Sequence, residues 1–203
     1  MANVKLSATE LEMVTNANFI LTKNRIIAKV YDLFGGLATA YSIELNNKNI
    51  LPEEVLKASP KISRGENYEG LPWVMLDYPR YFTKDDALAI RSFFWWGNFC
   101  SISLQLKGQY KDILNAESIH LKTNGLTQKA DDTWFLCCNE TDEWQHHFRE
   151  DNYKPLSSFS KEEIEQLTFI KLAKKIPLQE WDNLDIFFTA LFSEILHMLS
   201  LAT

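Results

Sequence analysis

The sequence predicts an α+β fold: a mostly antiparallel sheet of about four to five strands across residues 73–139, covered by N-terminal and C-terminal helices. Three observations carry this expectation. Apolar residues recur at helical spacing towards both ends of the chain, strict two-residue alternation runs through its middle, and short turn signals separate the alternating segments.

Ser7 followed by Glu10 has the spacing of a capping box, in which each side chain satisfies the other residue's backbone amide, so a helix starts there. Ile27, Tyr31, Phe34, Ala38, Tyr41 and Leu45 then form one helical stripe. Gly35 and Gly36 interrupt it and, at about 1 kcal/mol each relative to alanine, predict a kink or break. Residues 46–72 read as the most loop-like part of the chain, with a short helix launched by Pro52 and then the loop SPKISRGENYEGLP.

WVMLDY, residues 73–78, lies between two prolines and suits a short strand ended by Pro79, which has no N–H to donate. Thr83, with Asp86 three residues on, predicts a cap for a short helix around KDDALAI. From Phe99 onward Cys100, Ile102, Leu104 and Leu106 alternate with Ser101, Ser103, Gln105 and Lys107, the pattern of a strand with one buried face. Gly108 supplies a turn, and Ser118–Lys122 and Thr133–Asn139 read as further strands of a meander, set apart by the TNG and KADD turns. Ser160 with Glu163 repeats the capping box and opens a helix expected to end near Pro177; a last helix runs from about Asn183 to Leu201.

The stretch RSFFWWGNFC, residues 91–100, concentrates ring surface. In an unbroken strand Phe94, Trp96 and Asn98 share a face with Cys100, whereas Arg91, Phe93, Trp95 and Phe99 share the face of the serines. A bulge at Gly97 would re-aim the residues before it. The plain reading is a core; the functional one is a pocket wall.

With 203 residues and 46% hydrophobic content, the chain suits a single domain, residues 1–203, made of an N-terminal helical segment (1–45), a strand-rich centre (46–140) and C-terminal helices (160–203). A net charge of −6 with no basic cluster argues against nucleic acid. Lys171, Lys174 and Lys175 read as a solvated helix face. MANVKLSATE has no basic region followed by an apolar run, so no targeting peptide is expected. Three cysteines, two of them adjacent, point to a reducing, cytoplasmic setting. The apolar run Ile186–Ala202 carries too many polar residues for a membrane span.

These features favour a module that binds a small molecule or peptide in an aromatic-walled pocket. Trp73, Trp95 and Trp96 form its walls, Arg64, Arg80 or Arg91 is its polar anchor, and Tyr68, Asp77, Tyr78 and Asn98 lie close in sequence. A carboxylate or phosphate is the natural counter-charge for Arg91. One alternative is a homodimer whose seam is the Ile27–Leu45 stripe. Another is a metal-dependent hydrolase using Glu143, His146 and His147. Glu143 with His146, and Glu194 with His197, have the Glu-x-x-His spacing of di-iron bundles, but such a bundle needs further glutamates on two more helices. Neither GxSxG, GxGxxG nor GxxxxGK occurs, and no cofactor is expected.

Overall fold

Both capping boxes form. Ser7 N donates to Glu10 Oε2 at 2.7 Å and opens a helix at Ala8–Thr15 (α1); Ser160 N donates to Glu163 Oε2 at 2.7 Å and opens one at Lys161–Gln166 (α4). Between and beyond them lie the helices Ala17–Lys48 (α2), Glu53–Leu56 (α3) and Leu184–Ser200 (α5). The computed structural model describes residues 4–48, 50–114 and 133–200. The expected strand at 118–122 and the TNG and KADD turns lie outside the described residues.

Among the described residues seven strands pair antiparallel throughout: Lys61–Tyr68 (β1), Leu71–Phe82 (β2), Ala87–Trp95 (β3), Phe99–Lys107 (β4), Phe135–Cys137 (β5), Tyr153–Pro155 (β6) and Phe169–Pro177 (β7). Their order across the sheet is β1-β2-β3-β4-β7-β5-β6. The α+β expectation therefore holds, with N- and C-terminal helices flanking an antiparallel sheet. The sheet is larger than expected and reaches from Lys61 to Pro177.

Several elements differ from the sequence reading. The helix expected between Ser160 and Pro177 stops at Gln166, and FIKLAKKIP becomes β7, in the middle of the sheet. Its lysines step by three and four and so mimic a helical face, yet Lys171 and Lys174 project to opposite sides of the strand and are 1% and 5% exposed. The expected loop after Pro52 contains β1. Thr83 does cap, its Oγ1 accepting from Asp86 N at 2.9 Å, but the chain turns directly into β3 instead of a helix. β2 does not end at Pro79: it continues to Phe82, and the proline falls where the β2–β3 register shifts between Asp77 and Arg80, so the ladder loses no bond to the missing N–H.

α2 runs unbroken through Gly35 and Gly36. A Cβ at either position would meet nothing within 4 Å, so no neighbouring element forces a bend, and the flanking Phe34 and Leu37 are anchored in the core. Ile27, Val30, Phe34, Leu37, Tyr41 and Leu45 are all buried. Of the stripe expected as a dimer seam, Ile27, Phe34, Tyr41 and Leu45 are thus in the core and Tyr31 and Ala38 are half-buried at its edge; it packs on the sheet and on α5, where Tyr41 stacks on Phe192 at 3.7 Å and Phe34 meets Phe188 edge-on at 5.7 Å.

RSFFWWGNFC is neither a bulge nor a continuous strand. Trp95 pairs with Phe99, and Trp96, Gly97 and Asn98 form the hairpin turn between β3 and β4. Asn98 N donates to Trp95 O, and Gly97 has φ +72°, the left-handed value that a type II turn needs at its third position. Phe94 faces the helices with Cys100 and Ile102, while Phe93 and Trp95 face the other side.

Candidate functional site

The side of the sheet opposite the helices is not solvated. On β4, Ser101, Ser103 and Gln105 are as buried as the apolar residues between them, which corrects the expectation of one buried face. Residues 139–152 lie across them as a strap without regular secondary structure.

Paired polar groups fasten this strap. Lys171 Nζ donates to the backbone oxygens of Glu143 and Gln145, both at 2.7 Å. Tyr68 Oη accepts from His146 N at 2.7 Å and from His147 N at 3.1 Å, and donates to Gln145 Oε1 at 3.3 Å. The Glu143 carboxylate takes Gln105 Nε2 at 2.9 Å and Lys107 Nζ at 3.0 Å. Rings complete the closure: Trp144 lies over the Arg91 guanidinium and beside Phe82, His146 packs on Phe93 at 4.6 Å, and Phe148 stacks on Tyr153 at 4.6 Å.

Beneath the strap Arg91 and Asp77 form a side-on pair, with Nε to Oδ1 at 2.7 Å and Nη2 to Oδ2 at 3.2 Å. They sit opposite each other on β3 and β2, so the pairing is set by register. The arginine is 6% exposed. Its Nη1 is buried and has no hydrogen-bond partner among the described residues. Such a group keeps its full desolvation cost, which for a charged donor exceeds the roughly 1–3 kcal/mol of a neutral one.

Of the sequence-selected residues, the structure brings Tyr68, Trp73, Asp77, Arg91 and Trp95 together on this face, with Met75, Phe93 and Phe99. Trp73 lies across Gly65, where a Cβ would come within 2.5 Å of its indole nitrogen, so glycine is required there. Arg64, Tyr78 and Trp96 lie on the helix side: Arg64 sits over the Tyr31 ring, Tyr78 Oη reaches Ser42, and Trp96 packs on the main core. Arg80 bonds Ser59 O at the sheet margin. Asn98 is in the hairpin turn and caps Trp96 O.

One open groove of about 600 Å³ adjoins the covered face at the hairpin end, lined among others by Asn98, Phe99, Phe135, Lys175 and Phe187. The Lys175 ammonium is 5.1 Å from the Phe148 ring centroid and 5.8 Å from that of Phe99. Phe99 thus belongs both to the groove and to the aromatic wall under the strap.

Electrostatics at the face reflect burial. Desolvation, with the Arg91 charge nearby, lowers the Lys171 pKa to about 7. Desolvation, then Lys171 and Arg91, holds His146 well below the usual histidine range. Burial pushes the Cys100 thiol up to about 12 and raises Cys137, so neither is a ready thiolate nucleophile.

Glu143, His146 and His147 do not converge. The glutamate is held by Gln105 and Lys107, His146 by rings, and His147 Nδ1 is 4.0 Å from Asp151. Among the described residues no group of three or more His, Cys, Asp or Glu side chains is placed to hold a metal ion. Glu194 instead accepts Trp134 Nε1 at 2.7 Å and lies 3.7 Å from Lys174.

Lys171, Gln105 and the strap were missed in the sequence. The signal for the first was present: in FIKLAKKIP, Ile170, Leu172 and Lys174 alternate with Lys171, Ala173 and Lys175, a strand pattern masked by the helical spacing of the lysines.

The fold and site together define an α+β protein whose sheet packs helices on one side and a polar, aromatic, strap-covered surface on the other. Comparison with family models, with curated proteins and with solved structures returns no match. Among the described residues no helix is long and apolar enough to cross a membrane.

Proposed function

We propose that the protein is a binding module for a small molecule or peptide carrying a carboxylate or phosphate, received on the strap-covered face against Tyr68, Trp73, Phe93 and Trp95 with Arg91 as the anchor. The observation that carries this reading is Arg91 Nη1, a buried cationic donor with no hydrogen-bond partner among the described residues, beside aromatic side chains. A guanidinium that already holds one carboxylate side-on keeps a second donor edge for an anion.

Two further features support it. The adjoining groove has the volume range of small-molecule sites and shares Phe99 with the aromatic wall, which gives a ligand a route in. The strap adds no strand to the sheet and is held by polar contacts to Lys171, Tyr68, Gln105 and Lys107 together with ring packing on Phe93 and Tyr153, so its opening would break side-chain contacts and leave the strand ladders intact.

Intrinsic tryptophan fluorescence, read against a panel of aromatic carboxylates, phosphate esters and short acidic peptides, tests the proposal. A saturable change with at least one anionic ligand, reduced in Trp95→Phe, is expected. A flat response across the panel, or responses confined to neutral ligands, contradicts it.

A further inference from the structure

The N-terminal arm points to a second binding surface, independent of the covered face. α1 buries none of its residues. Leu6, Leu11, Met13 and Val14, with Phe19, Ile20 and Leu21 at the start of α2, are each about half exposed or more. Asn16 separates the two helices with non-helical angles, and its Oδ1 accepts from Phe19 N at 3.4 Å, so α1 turns off the α2 axis at a capped joint. The seven do not share one face, but Leu11 and Val14 stand three apart on α1, and Leu21 is in line with Arg25 and Lys29 at intervals of four on α2, so each helix presents an exposed apolar strip.

Charge on the arm selects the occupant. α1 carries Glu10 and Glu12 and no base, whereas α2 from Ala17 to Tyr31 carries Lys23, Arg25 and Lys29 and no acid. Lys23 pairs with Glu66, while Arg25 and Lys29 are exposed. An anionic lipid surface would repel α1, the most exposed part of the arm. A second copy related by a two-fold axis places acidic α1 of each protomer against the basic start of α2 of the other, so one pairing buries both apolar sets and matches both charges.

We infer that the arm formed by α1 and the first turns of α2 is a homodimer interface, with α1 of each protomer docked on α2 of its partner. It differs from the Ile27–Leu45 stripe, which lies in the protein's own core. Sedimentation velocity of the full chain over a concentration series tests it, with a dimer expected at about 50 µM, within the concentration range where such an interface is populated. Leu11→Glu with Val14→Glu should give a monomer with unchanged circular dichroism, since both residues are exposed. Glu12→Lys should raise the dissociation constant about tenfold, and adding Arg25→Glu and Lys29→Glu should reverse most of that loss. A wild-type monomer at that concentration, a dimer indifferent to all these changes, or a monomer that binds phosphatidylserine vesicles would overturn the inference.

Discussion

At the scale of single residues, the Asp77–Arg91 pair shows how burial changes what a charge is worth. Removing one partner leaves the other charge uncompensated in the interior, so Asp77→Ala should cost about 3–5 kcal/mol in urea unfolding. The double variant Asp77→Leu/Arg91→Met should recover most of that loss; a double variant as unstable as the single one would show that the pair is not what Asp77 satisfies. Lys171 gives a pH dependence of definite sign. Its pKa falls from 10.5 to about 7 on folding, so between those values the unfolded chain binds more protons and stability rises with pH. Below about 7 this contribution is constant, because the lysine is then charged in both states. His146, lowered well below 6.5, adds a further loss of stability as pH falls below that value. Denaturation midpoints measured from pH 5 to 10 check both slopes, and Lys171→Met should flatten the alkaline one. That Arg91 shares a face with Phe93 and Trp95 was legible from strand alternation. Lys171 was not, because three lysines at helical spacing imitate a solvated face until β4 and β5 pair on either side of their strand.

At the scale of elements, local rules worked where the element is decided locally. Both capping boxes, the stripe of α2 and the apolar run of α5 stand in the structure, since each depends on residues three or four apart. β7 was missed because partners distant in the chain make it a strand: it pairs with residues some seventy positions earlier in β4. β1 pairs locally, in a hairpin with β2, and was missed because KISRGENY is polar, mostly exposed and lacks the apolar alternation of a strand. The strap had no local signal at all, since its position depends on Tyr68 and Lys171, one from each side of it in the chain. Tyr68→Phe removes the acceptor for two strap amides and the donor to Gln145. Hydrogen exchange at His146 and His147 should accelerate by at least about tenfold, equivalent to the roughly 1–3 kcal/mol cost of unsatisfied buried donors, while β3 and β4 exchange as before. Equal acceleration across the sheet would mean that the strap does not open as a separate unit.

At the scale of the whole molecule, the sheet separates two interiors of different character. On one side α2 and α5 build an apolar core from which Phe34, Tyr41, Phe188 and Phe192 are fully excluded from water. On the other, smaller aromatic clusters surround charged and hydrogen-bonding groups under the strap. Residues such as Ser101, Ser103 and Gln105 look solvent-facing in sequence, yet they are buried between the neighbouring strands β3 and β7, with Gln105 bonded to Glu143 of the strap. The fold class was legible because periodicity at the two ends and alternation in the centre identify layers; the second interior was not, because binary pattern assigns polar residues to water. Its polar content supports the proposal that a ligand binds on that side. Titration calorimetry of an anionic ligand from the fluorescence panel, against wild type and Arg91→Lys, tests this most directly. Lysine keeps the charge opposite Asp77 but loses the second donor edge. Arg91→Lys should remain folded and bind at least about tenfold more weakly, as loss of a charge-assisted hydrogen bond requires; equal affinity in the two proteins would contradict an anchoring role for Arg91.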